Sequence, residues 1–223
     1  MGIHDGHRER LKAQFREKGL DGMTEYRALE LLLFYAIPMA DVYPVSKALI
    51  DRFGSLSSVL AATVDELCSV PGVGANTATL IKLVPQITKK YLVSTASGIL
   101  RINTPANAGV YLMPFYFGAK VEKAHVLFLD AEGVIIDLKL IAAGDEGSVM
   151  IDPEAIAEAA YKAGADRVVL AHNHLSDIAL SSTSDVETTG RVRAALEARG
   201  IRLWDHVIIS KNDFVSMRDS GML

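Results

Sequence analysis

The chain has a single cysteine, Cys68, which excludes an internal disulfide and points to a reducing compartment. No apolar run approaches the ~18–20 residues that cross a bilayer. The N-terminal stretch MGIHDGHRERLKAQF also lacks the apolar core of a secretory signal. A cytoplasmic protein without membrane contact is expected. Positive charge is not in excess either: 23 Lys and Arg face 27 Asp and Glu, a net charge of −4. Up to Tyr91 there are 11 basic and 10 acidic residues, and beyond it 12 and 17. Neither part has the strongly basic balance of a dedicated nucleic-acid binder. Repeats at solenoid spacing and low-complexity tracts are absent. What is there is ordinary globular composition, 50% hydrophobic over 223 residues, enough for one large domain or two small ones.

Residues 1–92 read as helices. HRERLKAQFREKG sets Leu11 and Phe15 at i, i+4 before a glycine stop, preceded by a loose terminus that holds His4 and His7. TEYRALELLLFYAI opens on Thr24 as N-cap and halts at Pro38. PVSKALIDRFG follows, with Pro44 in its first turn and Gly54 as C-cap. SLSSVLAA, TVDELCSV and NTATLIKLVPQITKKYL complete the set, with Thr63 and Glu66 spaced as a capping box. Cys68 is read as a small core residue. Residues 93–108, rich in Ser, Thr, Gly and Asn, read as a linker. After it the period changes. HVLFLD, GVIIDLKLIAAG, RVVLAHNH and HVIIS are β-branched strand candidates, and DPEAIAEAAYKAGA and DVETTGRVRAALEARG are amphipathic helices between them. The predicted fold class is therefore an all-α N-terminal domain followed by an α/β domain with its own core.

In VPGVGANTATLI a short helix ends, Gly72 and Gly74 make a tight turn, and a new helix begins. Backbone N–H groups in such a turn suit a phosphate oxygen. The stretch resembles the helix-hairpin-helix motif, which contacts DNA backbones without reading sequence. Only Lys82 lies close enough to help, so Gly72, Gly74 and Lys82 are candidates for weak DNA-phosphate contact. The alternative is a hairpin that only packs two helices or docks a protein.

RVVLAHNH ends an apolar strand on His172 and His174, and residues two apart on a strand share a face. Asp185, eleven positions beyond His174, can add a carboxylate oxygen. Two nitrogens and one oxygen leave a fourth position open, as in a catalytic zinc site. Ser182 completes the string H-x-H-x7-S-x-x-D.

That string is similar to the JAMM motif of the JAB1/MPN/Mov34 metalloproteases. Together with VVLAHNHLSD, RLWDHVIISKNDFVSMRDSG and FGSLSSVLAATVDELCSVPGVG, it resembles the RadC (UPF0758) family over nearly the whole chain. The resemblance implies a helix-hairpin-helix domain over 1–92 and a cytidine-deaminase-like layered MPN domain over 101–223, overlapping the linker. It implies one zinc per chain on His172, His174 and Asp185, which lowers the pKa of a bound water toward roughly 7. Glu122, just before HVLFLD, matches the family's general base, and Glu154 and Glu158 are rivals without a counterpart in the motif. Ser182 matches the serine that hydrogen-bonds the developing oxyanion. A plain N-cap is its other reading, with Ser184 as a competing cap. His206, in WDHVIIS, is read as structural, and His125 as an inward or edge strand residue. The substrate implied is a protein or peptide, cut at a peptide or isopeptide bond.

Two departures bear on this. The family's HNHPSGDPTPS is here HNHLSDIALSS: the prolines and glycine that fix the loop are gone, and Leu175, Asp177, Ile178 and Leu180 stand in the run. The run AAGDEGSVMIDPEAI also differs, and Asp145 and Glu146 add negative charge that disfavours a nucleic-acid substrate. Metal binding is thus better supported than turnover. A DNA-associated, repair-related protein and an inactive interaction module stay open as alternatives. Substrate and oligomeric state are not legible.

Overall fold

The computed structural model describes residues 3–144, 150–176, 178–211 and 213–223, with side chains from residue 6 on. Asp145, Glu146 and Asp177, named above for charge or loop position, lie outside the described residues, as does the side chain of His4. The chain forms two compact units, Met1–Thr88 and Lys89–Leu223. None of the described helices is long and apolar enough to cross a membrane.

The first unit is helical: α1 (Ile3–Lys18), α2 (Glu25–Leu33), α3 (Tyr43–Phe53), α4 (Leu56–Ala61), α5 (Val64–Cys68) and α6 (Ala75–Ala96), the last continuing past the division. Local chemistry sets the ends. Pro44 opens α3 where no N–H is needed, and Gly54 closes it at φ 86°, a conformation that costs other residues strain. Ser55 caps α4, and Thr63 with Glu66 forms the expected capping box on α5. Leu11, Leu29, Leu33, Leu49, Val59, Leu67 and Ile81 make the core, each contributing roughly 1.5–3 kcal/mol of burial.

Three expectations for this unit need correction. Cys68 is exposed, because Leu67 takes the inward position of a five-residue helix and the next residue turns away. Phe15 is 44% exposed while Leu11 is buried. The terminus is not loose at His7: its Nε2 lies 2.9 Å from Oε1 of buried Glu30. Next to it, the Arg8 guanidinium donates to the carbonyls of Phe34, Ile37 and Ala40, tying α1 to the turn after α2.

The second unit contains α7 (Pro105–Tyr116), β1 (Glu122–Leu129), β2 (Ile135–Gly144), α8 (Pro153–Lys162), β3 (Arg167–Asn173), α9 (Thr183–Glu197), β4 (Arg202–Ile209) and β5 (Phe214–Ser216). The sheet order is β2-β1-β3-β4-β5, antiparallel except for β3 and β4, which α9 joins by a crossover. Alternate residues feed two cores. Val126, Phe128, Val168 and Leu170 pack on Ile156, Val192 and Leu196 of α8 and α9. Leu127, Leu129, Val169, Ala171 and Val207 pack on Ala108 and Leu112 of α7. Covered on both faces, β3 reads as a continuous apolar run until its C-terminal end. Helices therefore flank a mixed sheet, and the predicted class, an all-α part followed by an α/β part, holds.

The expected linker, 93–108, carries helix at both ends. Thr95 and Ser97 donate hydroxyl hydrogens to the carbonyls of Tyr91 and Val93, and Thr104 caps α7 by accepting from Asn107 N–H. Residues that read as linker by composition thus close helix ends, and Ile102 between them is fully buried. The sequence reading also missed α7, whose composition hides it. Pro105 is tolerated in the first turn, Pro114 sits in the last, and Gly109 lies against the Phe214 ring, where a Cβ would come within 2.2 Å.

Candidate metal centre

His172 belongs to the last turn of the pleat in β3, on the face that carries Leu170, and His174 follows just past the strand. The His174 N–H donates to the Ile209 carbonyl at 2.9 Å, which keeps this residue aligned beside β4. Across the loop, Ser182 starts α9. Its Oγ accepts from Asp185 N–H at 3.2 Å, and its own N–H and hydroxyl both donate to Asp185 Oδ2 at 2.7 Å. This capping box turns the Asp185 carboxylate toward the end of β3. His172 Nε2 is 2.9 Å from His174 Nε2 and 3.0 Å from Asp185 Oδ1, and His174 Nε2 is 3.4 Å from Asp185 Oδ2.

Among the described residues, these three form the group able to hold a metal ion, their ligand atoms all within 4.8 Å of one another. The donors around a tetrahedral zinc lie about 3.3 Å apart, given bonds of roughly 2.0–2.1 Å. The observed separations are close to that, so the residues present fit such an ion. Burial alone would raise the Asp185 pKa, yet the imidazoles of His172 and His174 beside it, with help from Ser182, hold it well below the usual carboxylate range. It therefore stays an anion at any working pH.

The cleft around these atoms, about 290 Å³, is lined by Glu122, Ile151, His172, His174, Ser176, Ser182, Ser184, Asp185, Thr188 and His206. Glu122 arrives through strand register. Ala124 of β1 pairs with His172 of β3, and two further residues along the ladder bring Glu122 beside position 174, on the His172 face. Asn173 fastens this edge: its Oδ1 accepts from Lys123 N–H at 2.8 Å and its Nδ2 donates to the Val121 carbonyl at 3.3 Å. Both chain neighbours of Glu122 are thereby held by one side chain. Glu154 and Glu158 do not line the cleft; Glu154 pairs with Arg199 at 2.9 Å and Glu158 with Lys162, all on the outside of α8 and beyond.

Ser182 serves as the N-cap, and its hydroxyl hydrogen is engaged by Asp185. Ser184 lines the cleft and does not cap α9. His206 requires correction. It was read as a structural strand residue, but its Nε2 lies 2.9 Å from His172 Nδ1 and its Nδ1 2.6 Å from Thr189 Oγ1. Burial pushes its pKa down to about 3, so the ring is neutral. Sequence reasoning missed Thr189 and Asn173 altogether. The available signal was weak: a histidine interrupting the apolar run RLWDHVII on the face that β3 shares with His172. His125 is inward on the opposite face, packed against Phe115 and Tyr116.

The DNA candidates lie in the other unit. Gly72 has φ 88°, and a Cβ there would meet Val45 Cγ2 at 2.8 Å, so backbone and packing both require glycine. Gly74 has open space around it. The Lys82 ammonium donates to the carbonyls of Leu60 at 2.8 Å and Ala62 at 2.6 Å, where it closes the end of α4.

The family profile described as RadC-like JAB domain matches residues 102–222, and the helix-hairpin-helix profile matches residues 55–84. Among curated relatives, a UPF0758 protein of Fusobacterium nucleatum is 32% identical over 99% of this chain and 98% of its own. A UPF0758 protein of Ruegeria pomeroyi is 32% identical over 97% of each chain.

Proposed function

Since the chain belongs to the family of RadC-like JAB-domain proteins, we propose that it is a zinc-dependent, metallopeptidase-like hydrolase acting on a peptide or isopeptide bond. The observation that carries this reading is the convergence of His172, His174 and Asp185 in a cleft that Glu122 also lines. A zinc ion held by these three residues supplies Lewis acidity toward water and the scissile carbonyl. His172 and His174 contribute neutral nitrogens and Asp185 a single negative charge, so the three neutralise only part of a divalent cation. Glu122 takes one proton from the attacking water and returns it to the amine nitrogen as the C–N bond breaks, leaving a carboxylic acid and an amine. Ser182 is assigned to the developing oxyanion, a contact worth about 3 kcal/mol in comparable sites. To make it, the hydroxyl hydrogen must swing away from Asp185. The helical residues 1–92 serve as an appended recognition module.

Glu122→Gln tests the reading. Turnover of a quenched-fluorescence peptide library is expected to fall about 10²–10⁴-fold, with zinc content unchanged by elemental analysis. Equal turnover in the variant would remove Glu122 from the chemistry.

A second reading, weak and sequence-independent DNA contact, has the helix-hairpin-helix match and the Gly72–Gly74 turn in its favour. Lys82 lends it no support, since its ammonium faces two carbonyls.

A further inference from the structure

A metal-ligating histidine commonly donates its second ring N–H to a carboxylate, a carbonyl or water. Here the partner of His172 Nδ1 is another histidine, and the direction of each hydrogen bond can be followed from the far end. Thr189 Oγ1 has one hydrogen and lies 2.5 Å from the Asp185 carbonyl, which can only accept. That hydrogen goes to the carbonyl. The same Oγ1, 2.6 Å from His206 Nδ1, must then accept, so Nδ1 of His206 carries a proton. A histidine ring at pH 8 carries a single proton, and in His206, enclosed between Thr189 and His172, it sits on Nδ1. Its Nε2 therefore accepts, and at 2.9 Å it takes the hydrogen on His172 Nδ1. His172 is left with a bare Nε2, aimed at Asp185 Oδ1 and at His174 Nε2.

We infer that Thr189 and His206 are positioning residues that set the His172 tautomer and hold its Nε2 lone pair toward the cation. This rests on the metal reading above and adds to it what keeps the site ready for an ion. With Nε2 bare, two electron-rich atoms, His172 Nε2 and Asp185 Oδ1, face each other at 3.0 Å, a contact that a bound cation relieves. The relay also joins elements. One hydroxyl on α9 touches the backbone of the ligand Asp185 and, through β4, orients the ligand His172 on β3. Because His206 is neutral, it orients the ligand without adding negative charge, so more of the ion's positive charge is left for substrate. Loss of one hydroxyl at Thr189 is predicted to disturb His172, although Thr189 touches neither the ion nor substrate.

The test uses the full chain, freed of metal by chelator, at pH 8. Long-range proton–nitrogen NMR of the histidine rings reads the tautomer of His172 directly, and competition titration reads zinc affinity. Wild-type protein is expected to show His172 with its proton on Nδ1. In Thr189→Val a substantial share should move to Nε2, and zinc affinity should fall about 10–100-fold, the usual effect of losing such a partner. Thr189→Ser, which keeps the hydroxyl, should restore both. A wild-type His172 protonated on Nε2 would overturn the relay without any variant, and so would Thr189→Val with tautomer and affinity unchanged. If wild-type protein takes up no zinc, the metal reading fails, and the tautomer measurement still decides whether the relay exists.

Discussion

The glycine hairpin of the helical unit and the open end of the sheet both drew a functional reading from sequence, and they differ in what their polar groups do. In the helical unit the polar side chains meet opposite partners within the fold: His7 meets Glu30, Arg8 meets carbonyl oxygens, and Lys82 closes α4. At the end of β3 the reverse holds. Two imidazole nitrogens and a carboxylate oxygen converge, with a further glutamate in the same cleft. Groups that answer one another stabilise a fold, while ligand atoms gathered at one point in a cleft can hold an ion. That contrast is why the proposed chemistry is assigned to the second unit.

The comparison can be broken from the helical side first. Lys82→Met removes a charged donor from two carbonyls, and a loss of about 1.5–3 kcal/mol in unfolding free energy is expected, read by urea denaturation. Binding to a fluorescent duplex at low salt should be no weaker than in wild type. Unchanged stability with weaker DNA binding would return Lys82 to the phosphate role. A smaller effect sharpens the other side. Ser182→Ala removes the α9 cap, at a cost of about 1 kcal/mol, and it should also lower zinc affinity, because Asp185 loses a hydrogen bond that holds its carboxylate in place.

The smallest effect separates the two faces of the sheet. Burial, then Lys123 and Lys89, pushes the pKa of His125 down to about 4, and its Nδ1 has no hydrogen-bond partner among the described residues. The unfolded chain, with an ordinary histidine pKa near ~6.5, takes up the proton first as pH falls. Stability is thus complete above about pH 6.5 and declines toward pH 4. His125→Leu should flatten that slope in denaturation measured across this window. An unchanged slope would assign it to other groups, the buried His206 among them.

Much of the fold was legible because it is written in periodicity and caps. The change from helical to strand period, Pro44 and Gly54 around α3, and the Thr63–Glu66 box are all local signals. So was the spacing that brings His172, at the end of β3, and His174, just past it, to one cleft. What stayed hidden depends on distant contacts. Gly109 and its two flanking prolines make α7 look unhelical until Phe214 is seen lying on the glycine. Thr95, Ser97 and Thr104 pass for linker residues until their hydroxyls are seen closing helix ends. His206 joins His172 across 34 positions, and Asn173 reaches Val121 across 52. No local pattern encodes either pairing.

The most direct test of the central claim is elemental analysis of zinc in wild-type protein and in a His172→Ala/His174→Ala variant, both prepared without added metal. About one zinc per chain in the wild type and none in the variant is the expected result. No zinc in either protein, even after reconstitution, would contradict the metal centre and leave the fold as an interaction module.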